Sequence, residues 1–140
     1  MKKLLAIALA LTTLLCLAAC GSGSDSDSDS DSGYKAKTIE ENLKKANYDV
    51  DFTDDAEVIA EEFMSDTITF KILPNALVEA YKDDGNLFFY VALFKNEADA
   101  KAFLDEWNTL MKGVEDQDEL TLKGNCVYTG DEASVKIAFQ

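Results

Sequence analysis

The chain has 140 residues, of which 27 are acidic and 13 are basic, so its formal net charge is −14. This length fits about one domain. The sequence contains no histidine and no arginine, which excludes histidine-dependent catalysis, histidine metal sites and bidentate arginine clamps on phosphate. The negative charge argues against a nucleic-acid partner, because a nucleic-acid binder has to place cations on phosphates. We therefore expect no catalytic residues, no cofactor and no bound metal.

Residues 1–19 have the pattern of a secretory signal peptide that is removed by cleavage. Two lysines precede the uncharged apolar run 4–17, which is shorter than the about 20 residues that a helix needs to cross a bilayer. The run ends in Leu17-Ala18-Ala19-Cys20. This stretch resembles the lipobox of bacterial lipoproteins. The alternative is a plain secretory signal, in which a cysteine follows the cleavage site by chance.

The lipobox resemblance implies where the mature protein is located. Signal peptidase would cut between Ala19 and Cys20, and Cys20 would carry a diacylglyceryl group and acyl chains such as palmitate. Two chains anchor a protein more firmly than one, so the protein would be held at the cell membrane on its extracytoplasmic side. Residues 34–140 also resemble, in general pattern, small lipoprotein domains of unassigned function, and this likeness implies no site.

Residues 20–33 connect the lipidated cysteine to the remaining chain. The stretch 21–33 contains only glycine, serine and four aspartates, so it has no apolar side chain for a core, and we expect a disordered spacer. A coil of this length spans about 20 Å. Alternating aspartates also begin EF-hand loops, but no register that starts at one of these aspartates has both the glycine at position 6 and the glutamate at position 12. We therefore expect no metal there.

Cys126 is the cysteine that remains once Cys16 leaves with the signal and Cys20 is lipidated. The mature chain therefore lacks an intramolecular disulfide. A reactive thiol needs a close cation or histidine to lower its pKa. The nearest cation to Cys126 in the sequence is Lys123, three residues away, and we expect Cys126 to be a buried, inert strand residue and not a reactive thiol.

Hydrophobic periodicity predicts one α+β domain over residues 34–140, which are enough for a single core. Apolar residues at helical spacing follow three predicted N-caps, Thr38, Asp54 and Asn96. Strand patterns cover 48–53, 67–73, 77–82, 87–94, 120–123 and 126–129. A turn at 83–86 joins two of these strands. The segment 131–139 fits both a strand and a short helix, and the helix is slightly favoured.

An internal similarity suggests how these elements are arranged. The stretch 55–63 aligns without gaps on 99–107, and each copy lies between two predicted strands. Two such halves predict a ferredoxin-like βαββαβ sheet with an added N-terminal helix and a short C-terminal helix. The alternative is that any two amphipathic helices look alike. In a ferredoxin-like sheet the first and third strands are central, which suits the run 87–94 because it is apolar on both faces.

The same run provides the candidate interaction residues. It places Phe88, Tyr90 and Phe94 on one face of the strand, and both of its faces are too apolar to contact water. Either the N-terminal helix and the C-terminal segment cover the second face, which we favour, or Phe88, Tyr90 and Phe94 form an interaction surface.

Clusters of acidic residues are the other feature of the sequence that could form a functional site. The cluster 115–119 is a conceivable weak site for a divalent cation, although a solvated acidic surface explains it more simply. Carboxylate pairs could also serve in hydrolysis, for which two carboxyl groups of raised pKa would have to share one pocket.

We expect a membrane-anchored, non-enzymatic lipoprotein domain that binds a protein or another component of the cell envelope. The alternatives are a small envelope hydrolase and a weak divalent-cation-binding protein.

Overall fold

Nine helices and strands form an α+β fold in the described part of the chain. The computed structural model describes residues 33–65, 68–83, 85–114 and 118–140, all within the compact unit Gly33–Gln140. In chain order the elements are α1 (Ala36–Lys45), β1 (Asp49–Thr53), α2 (Ala56–Phe63), β2 (Ala76–Lys82), β3 (Leu87–Leu93), α3 (Glu97–Leu110), β4 (Thr121–Lys123), β5 (Cys126–Gly130) and α4 (Glu132–Ala138). The predicted α+β class is confirmed, together with the N-terminal helix and the short C-terminal helix.

The strands form one antiparallel sheet in the order β1-β2-β3-β5-β4. β3 is the central strand, as its two apolar faces predict. The turn between β2 and β3 also agrees with the sequence, because Asp83 and Gly85 adopt positive φ angles of 55° and 85°, which these residue types tolerate.

The position of β1 differs from that in a ferredoxin-like sheet. There the first strand is central, whereas here β1 lies at the edge and is antiparallel to β2. A single crossover helix returns the chain parallel to the preceding strand. In this chain β2 begins at Ala76, well after the end of α2 at Phe63, and it runs antiparallel to β1. Residues 68–73 do not form the predicted strand, although Phe70 is buried.

Helices cover both faces of the sheet. On one face, α1 and α4 contribute to a core that contains Ile39, Leu43, Val78, Phe89, Val91 and Ala138. On the other face, α2 and α3 contribute to a core that contains Ile59, Phe63, Leu77, Ala92, Phe103, Trp107 and Val127. Successive residues of β3 therefore alternate between two cores. The N-terminal helix and the C-terminal segment cover the second face, which is the favoured arrangement from the sequence.

Side-chain caps define three of the helix starts. The side chains of Asp55, Asn96 and Asp131 accept hydrogen bonds from backbone N–H groups in the first turns of α2, α3 and α4. Two predicted caps are displaced. The cap of α2 is Asp55 and not its neighbour Asp54, and α1 begins before Thr38, directly after Lys35.

Within the described residues, no helix combines the length and the apolar character that a membrane span requires.

Candidate functional site

A row of polar and aromatic side chains crosses the sheet on the face that carries α2 and α3. The strand register places Asp51 of β1 opposite Glu79 of β2, Glu79 opposite Tyr90 of β3, and Tyr90 opposite Thr129 of β5. Neighbouring strands lie about 4.8 Å apart, so these side chains are close neighbours. Glu79, Tyr90 and Thr129 are half-buried, whereas Asp51 is exposed.

Helix α2 adds a second glutamate to this row. Glu62 immediately precedes Phe63, which is buried in the core, so the last turn of α2 lies against the sheet. The Tyr90 Oη–H donates a hydrogen bond to Glu62 Oε1 at 3.2 Å. Tyr81 of β2 lies on the same face as Glu79, two residues further along the strand. We call the set Asp51, Glu62, Glu79, Tyr81 and Tyr90 the acid-tyrosine patch.

Burial and like charge raise the pKa values of the two glutamates. The pKa of Glu79 rises to about 7, first because burial disfavours the ionised form and then because Glu62 and Asp51 carry the same charge. Burial also raises the pKa of Glu62, although the hydrogen bond from Tyr90 acts in the opposite direction. Near neutral pH, Glu79 therefore exists in both its protonated and its ionised form.

The two tyrosines of the patch are kept neutral by the same environment. Burial, followed by the charges of Glu79, Asp51 and Glu62, raises the pKa of Tyr81 to about 12. Burial and the neighbouring glutamates raise the pKa of Tyr90 well above its ordinary value. Both hydroxyl groups therefore remain hydrogen-bond donors at neutral pH, and the negative charge of the patch resides on its carboxylates.

The three residues of the alternative interaction surface lie on the face of β3 that carries α2 and α3, and not on the face that α1 and α4 cover. They occupy different environments. Tyr90 belongs to the acid-tyrosine patch, and Phe88 is half-buried on β3 opposite Tyr81. Phe94 is 3% exposed, and its ring lies 5.0 Å from that of Phe103. Phe94 is therefore a core residue, and of these three Phe88 and Tyr90 retain contact with the surface.

Sequence reasoning missed Glu62 and Glu79 as parts of a site. The signal for Glu79 is its place between Val78 and Ala80, both of which are fully buried. A charged residue within an otherwise apolar strand is unusual unless it has a specific environment. Glu62 has no comparable signal, because its position over the sheet depends on how α2 packs.

Cys126 is a free, fully buried cysteine on β5, as the sequence predicts. Burial raises the pKa of its thiol to about 12, against the smaller effect of the Lys123 charge. Because the thiolate is the reactive form, this residue has a structural role in the core.

A shallow groove of about 440 Å³ lies between residues 71–72 and the outer side of α3. Its lining includes Ala102, Glu106 and Leu110. The Lys71 backbone N–H donates a hydrogen bond to Glu106 Oε2 at 3.1 Å. None of the residues that line this groove belongs to the acid-tyrosine patch.

Some of the residues singled out in the sequence lie outside the described residues. These are the lipobox 17–20, the spacer 21–32 and positions 115–117 of the acidic cluster. The described ranges contain no group of three or more cysteine, aspartate or glutamate side chains placed to hold a metal ion.

Comparisons of the chain with protein-family models, with curated proteins and with solved structures find no match.

Proposed function

We propose that this protein is a lipoprotein anchored on the extracytoplasmic side of the cell membrane, whose domain binds a protein or another envelope component without catalysing a reaction. The anchor is supported by Leu17-Ala18-Ala19-Cys20, which follows two lysines and an apolar run. Acyl chains on Cys20 would hold the protein in the membrane. The spacer 21–33 would keep the domain about 20 Å from that attachment.

The acid-tyrosine patch, together with the adjacent Phe88, is the observation that supports the binding function. Tyr81, Phe88 and Tyr90 are half-buried aromatic residues on one face of two neighbouring strands. Aromatic side chains of this kind are enriched at protein interfaces and are frequent among the residues that dominate binding energy. Because Asp51, Glu62 and Glu79 surround them with carboxylates, the surface best fits a partner with a basic contact region.

Replacement of the predicted lipidated cysteine tests the anchor. We expect Cys20→Ala to move the protein from the membrane fraction to the soluble fraction, because the acyl chains lose their attachment site. Cys16→Ala is the matched control, since Cys16 lies within the apolar run and its variant should remain in the membrane fraction. Fractionation followed by mass determination of the mature N-terminus measures both. A Cys20→Ala protein that stays in the membrane would show that Cys20 is not the anchor.

Replacement of an aromatic residue beside the patch tests the binding function. We expect Phe88→Ala to reduce capture of the partner from solubilised envelope by about tenfold, because loss of one central aromatic contact costs roughly 1–2 kcal/mol or more. Leu110→Ala is the control, because Leu110 is 42% exposed and lies on α3, outside the patch. Circular dichroism establishes that each variant folds. Equal capture by the two variants would contradict a binding role for this surface.

One observation favours a second candidate, a small hydrolase that uses carboxylates. Glu62 and Glu79 both have a raised pKa, and the charge of Glu62 acts on Glu79. A carboxyl group with a raised pKa can serve as the general acid of such an enzyme. Two catalytic carboxyl groups have to share one pocket, and neither glutamate lines the groove beside α3, which is why binding is the better supported function. Hydrolysis of envelope saccharides by the wild type and its loss in Glu79→Gln would favour the enzyme.

A further inference from the structure

Helix α2 is a two-turn element that two apolar side chains hold on the sheet. Ile59 and Phe63 are 1% and 9% exposed, whereas Glu57 and Glu61 of the same helix face solvent. A polar contact adds to these apolar ones, because the Tyr90 hydroxyl group of β3 donates a hydrogen bond to Glu62. The last turn of α2 therefore meets the sheet at the acid-tyrosine patch.

We propose that Glu62 and Glu79 form a proton-controlled latch between α2 and the sheet. When Glu79 is protonated, α2 is seated and Glu62 accepts the hydrogen bond from Tyr90. When Glu79 loses its proton, three carboxylates, those of Asp51, Glu62 and Glu79, repel one another across the same contact. Because Glu62 is the member carried by the helix, this repulsion loosens α2. The latch depends neither on the lipid anchor nor on the binding partner.

The groups that act on Glu79 come from several elements packed around it. Asp51 on β1 and Glu62 on α2 oppose its ionisation. Tyr81 on β2 and Tyr90 on β3 remain neutral, and Thr129 on β5, opposite Tyr90, has no charge. With a pKa of about 7 for Glu79, the latch changes state near neutral pH.

The aromatic core provides an internal reporter for movement of α2. The ring of Phe63 lies 5.3 Å from that of Phe103 and 6.1 Å from that of Phe70. Phe70 in turn stacks on Trp107 at 6.0 Å, and Trp107 is the single tryptophan of the chain. Loosening of α2 therefore changes the surroundings of Trp107 through Phe63 and Phe70.

Amide hydrogen exchange and tryptophan fluorescence of the full chain in detergent test the latch. After correction for intrinsic exchange rates, we expect the protection of the α2 amides to fall about tenfold between pH 6 and pH 8. Trp107 fluorescence should change with a midpoint near the pKa of Glu79. In Glu79→Gln, which removes the titrating carboxyl group, protection should stay constant over this range.

Two further variants make the test decisive. Glu61→Gln removes a charge from an exposed neighbouring position on α2, and we expect it to lose protection as the wild type does. Glu62→Gln removes the helix carboxylate, and we expect it to reduce the pH-dependent loss of protection without abolishing it, because the burial that contributes most to the raised pKa of Glu79 remains. Constant protection in the wild type would overturn the proposal. A tenfold loss that persists in both Glu62→Gln and Glu79→Gln would also overturn it.

Discussion

At the scale of single residues, Asn125 connects the start of the domain to the end of the central strand. Its Oδ1 accepts a hydrogen bond from the Tyr34 backbone N–H at 2.7 Å. Its Nδ2 donates to the carbonyl oxygens of Tyr34 at 3.1 Å and Phe94 at 3.0 Å. A Cβ atom at Gly33 would lie 2.9 Å from the Asn125 side chain, so glycine permits this close approach. Asn125 thereby fixes the backbone just ahead of α1.

We expect Asn125→Ala to lower the free energy of unfolding by about 2 kcal/mol, because a buried amide that loses its partner costs roughly 1–3 kcal/mol. The change leaves Tyr34 N–H and two carbonyl groups without this partner. Urea denaturation measures the loss. Asn108→Ala, at an exposed position on α3, is the control and should change the free energy by less than about 0.5 kcal/mol. If the two losses are equal, the hydrogen bonds of Asn125 do not stabilise the fold.

At the scale of elements, the sequence patterns predicted the helices and turns whose formation depends on residues close to one another in the chain. The hairpin β2-β3 and helix α3 agree with the sequence because turn residues and the Asn96 cap act over a few positions. Helix α4 was harder to predict, since Val135, Ile137 and Phe139 alternate as in a strand. The Asp131 cap favours the helix, and Asp131 also joins it to β3 by accepting a hydrogen bond from Phe88 N–H at 2.9 Å.

The edge position of β1 and the composition of the acid-tyrosine patch could not be predicted from such patterns. The edge position of β1 depends on how the chain returns from α2 to β2, and no regular strand forms among the described positions between these two elements. Tyr90 of the patch and the adjacent Phe88 were found from alternation along one strand. Glu62 and Glu79 meet because of strand register and helix packing, and both are long-range properties.

At the scale of the whole molecule, two kinds of carboxyl group give stability an opposite dependence on pH. Burial raises the pKa of Asp131, but hydrogen bonds from Ser134 and Phe88 outweigh this effect and lower the pKa. The contribution of Asp131 to the free energy of unfolding is therefore lost as the pH falls through the lowered pKa. Glu62 and Glu79 have raised pKa values in the folded state. Above the ordinary glutamate pKa of 4.5, the folded state binds more protons than the unfolded state, so stability falls as pH rises.

We therefore expect the free energy of unfolding to be highest near pH 5 and to decline as the pH rises to about 8. Discounted for its partial exposure, Glu79 should account for about 2 kcal/mol of this decline. Glu79→Gln should reduce the decline by that amount, because glutamine stays neutral in the patch. Glu61→Gln removes the same charge from an exposed site, so it controls for the general repulsion within an acidic chain. Urea denaturation at constant ionic strength measures each slope, and identical slopes in the two variants would show that Glu79 does not control the acidic optimum.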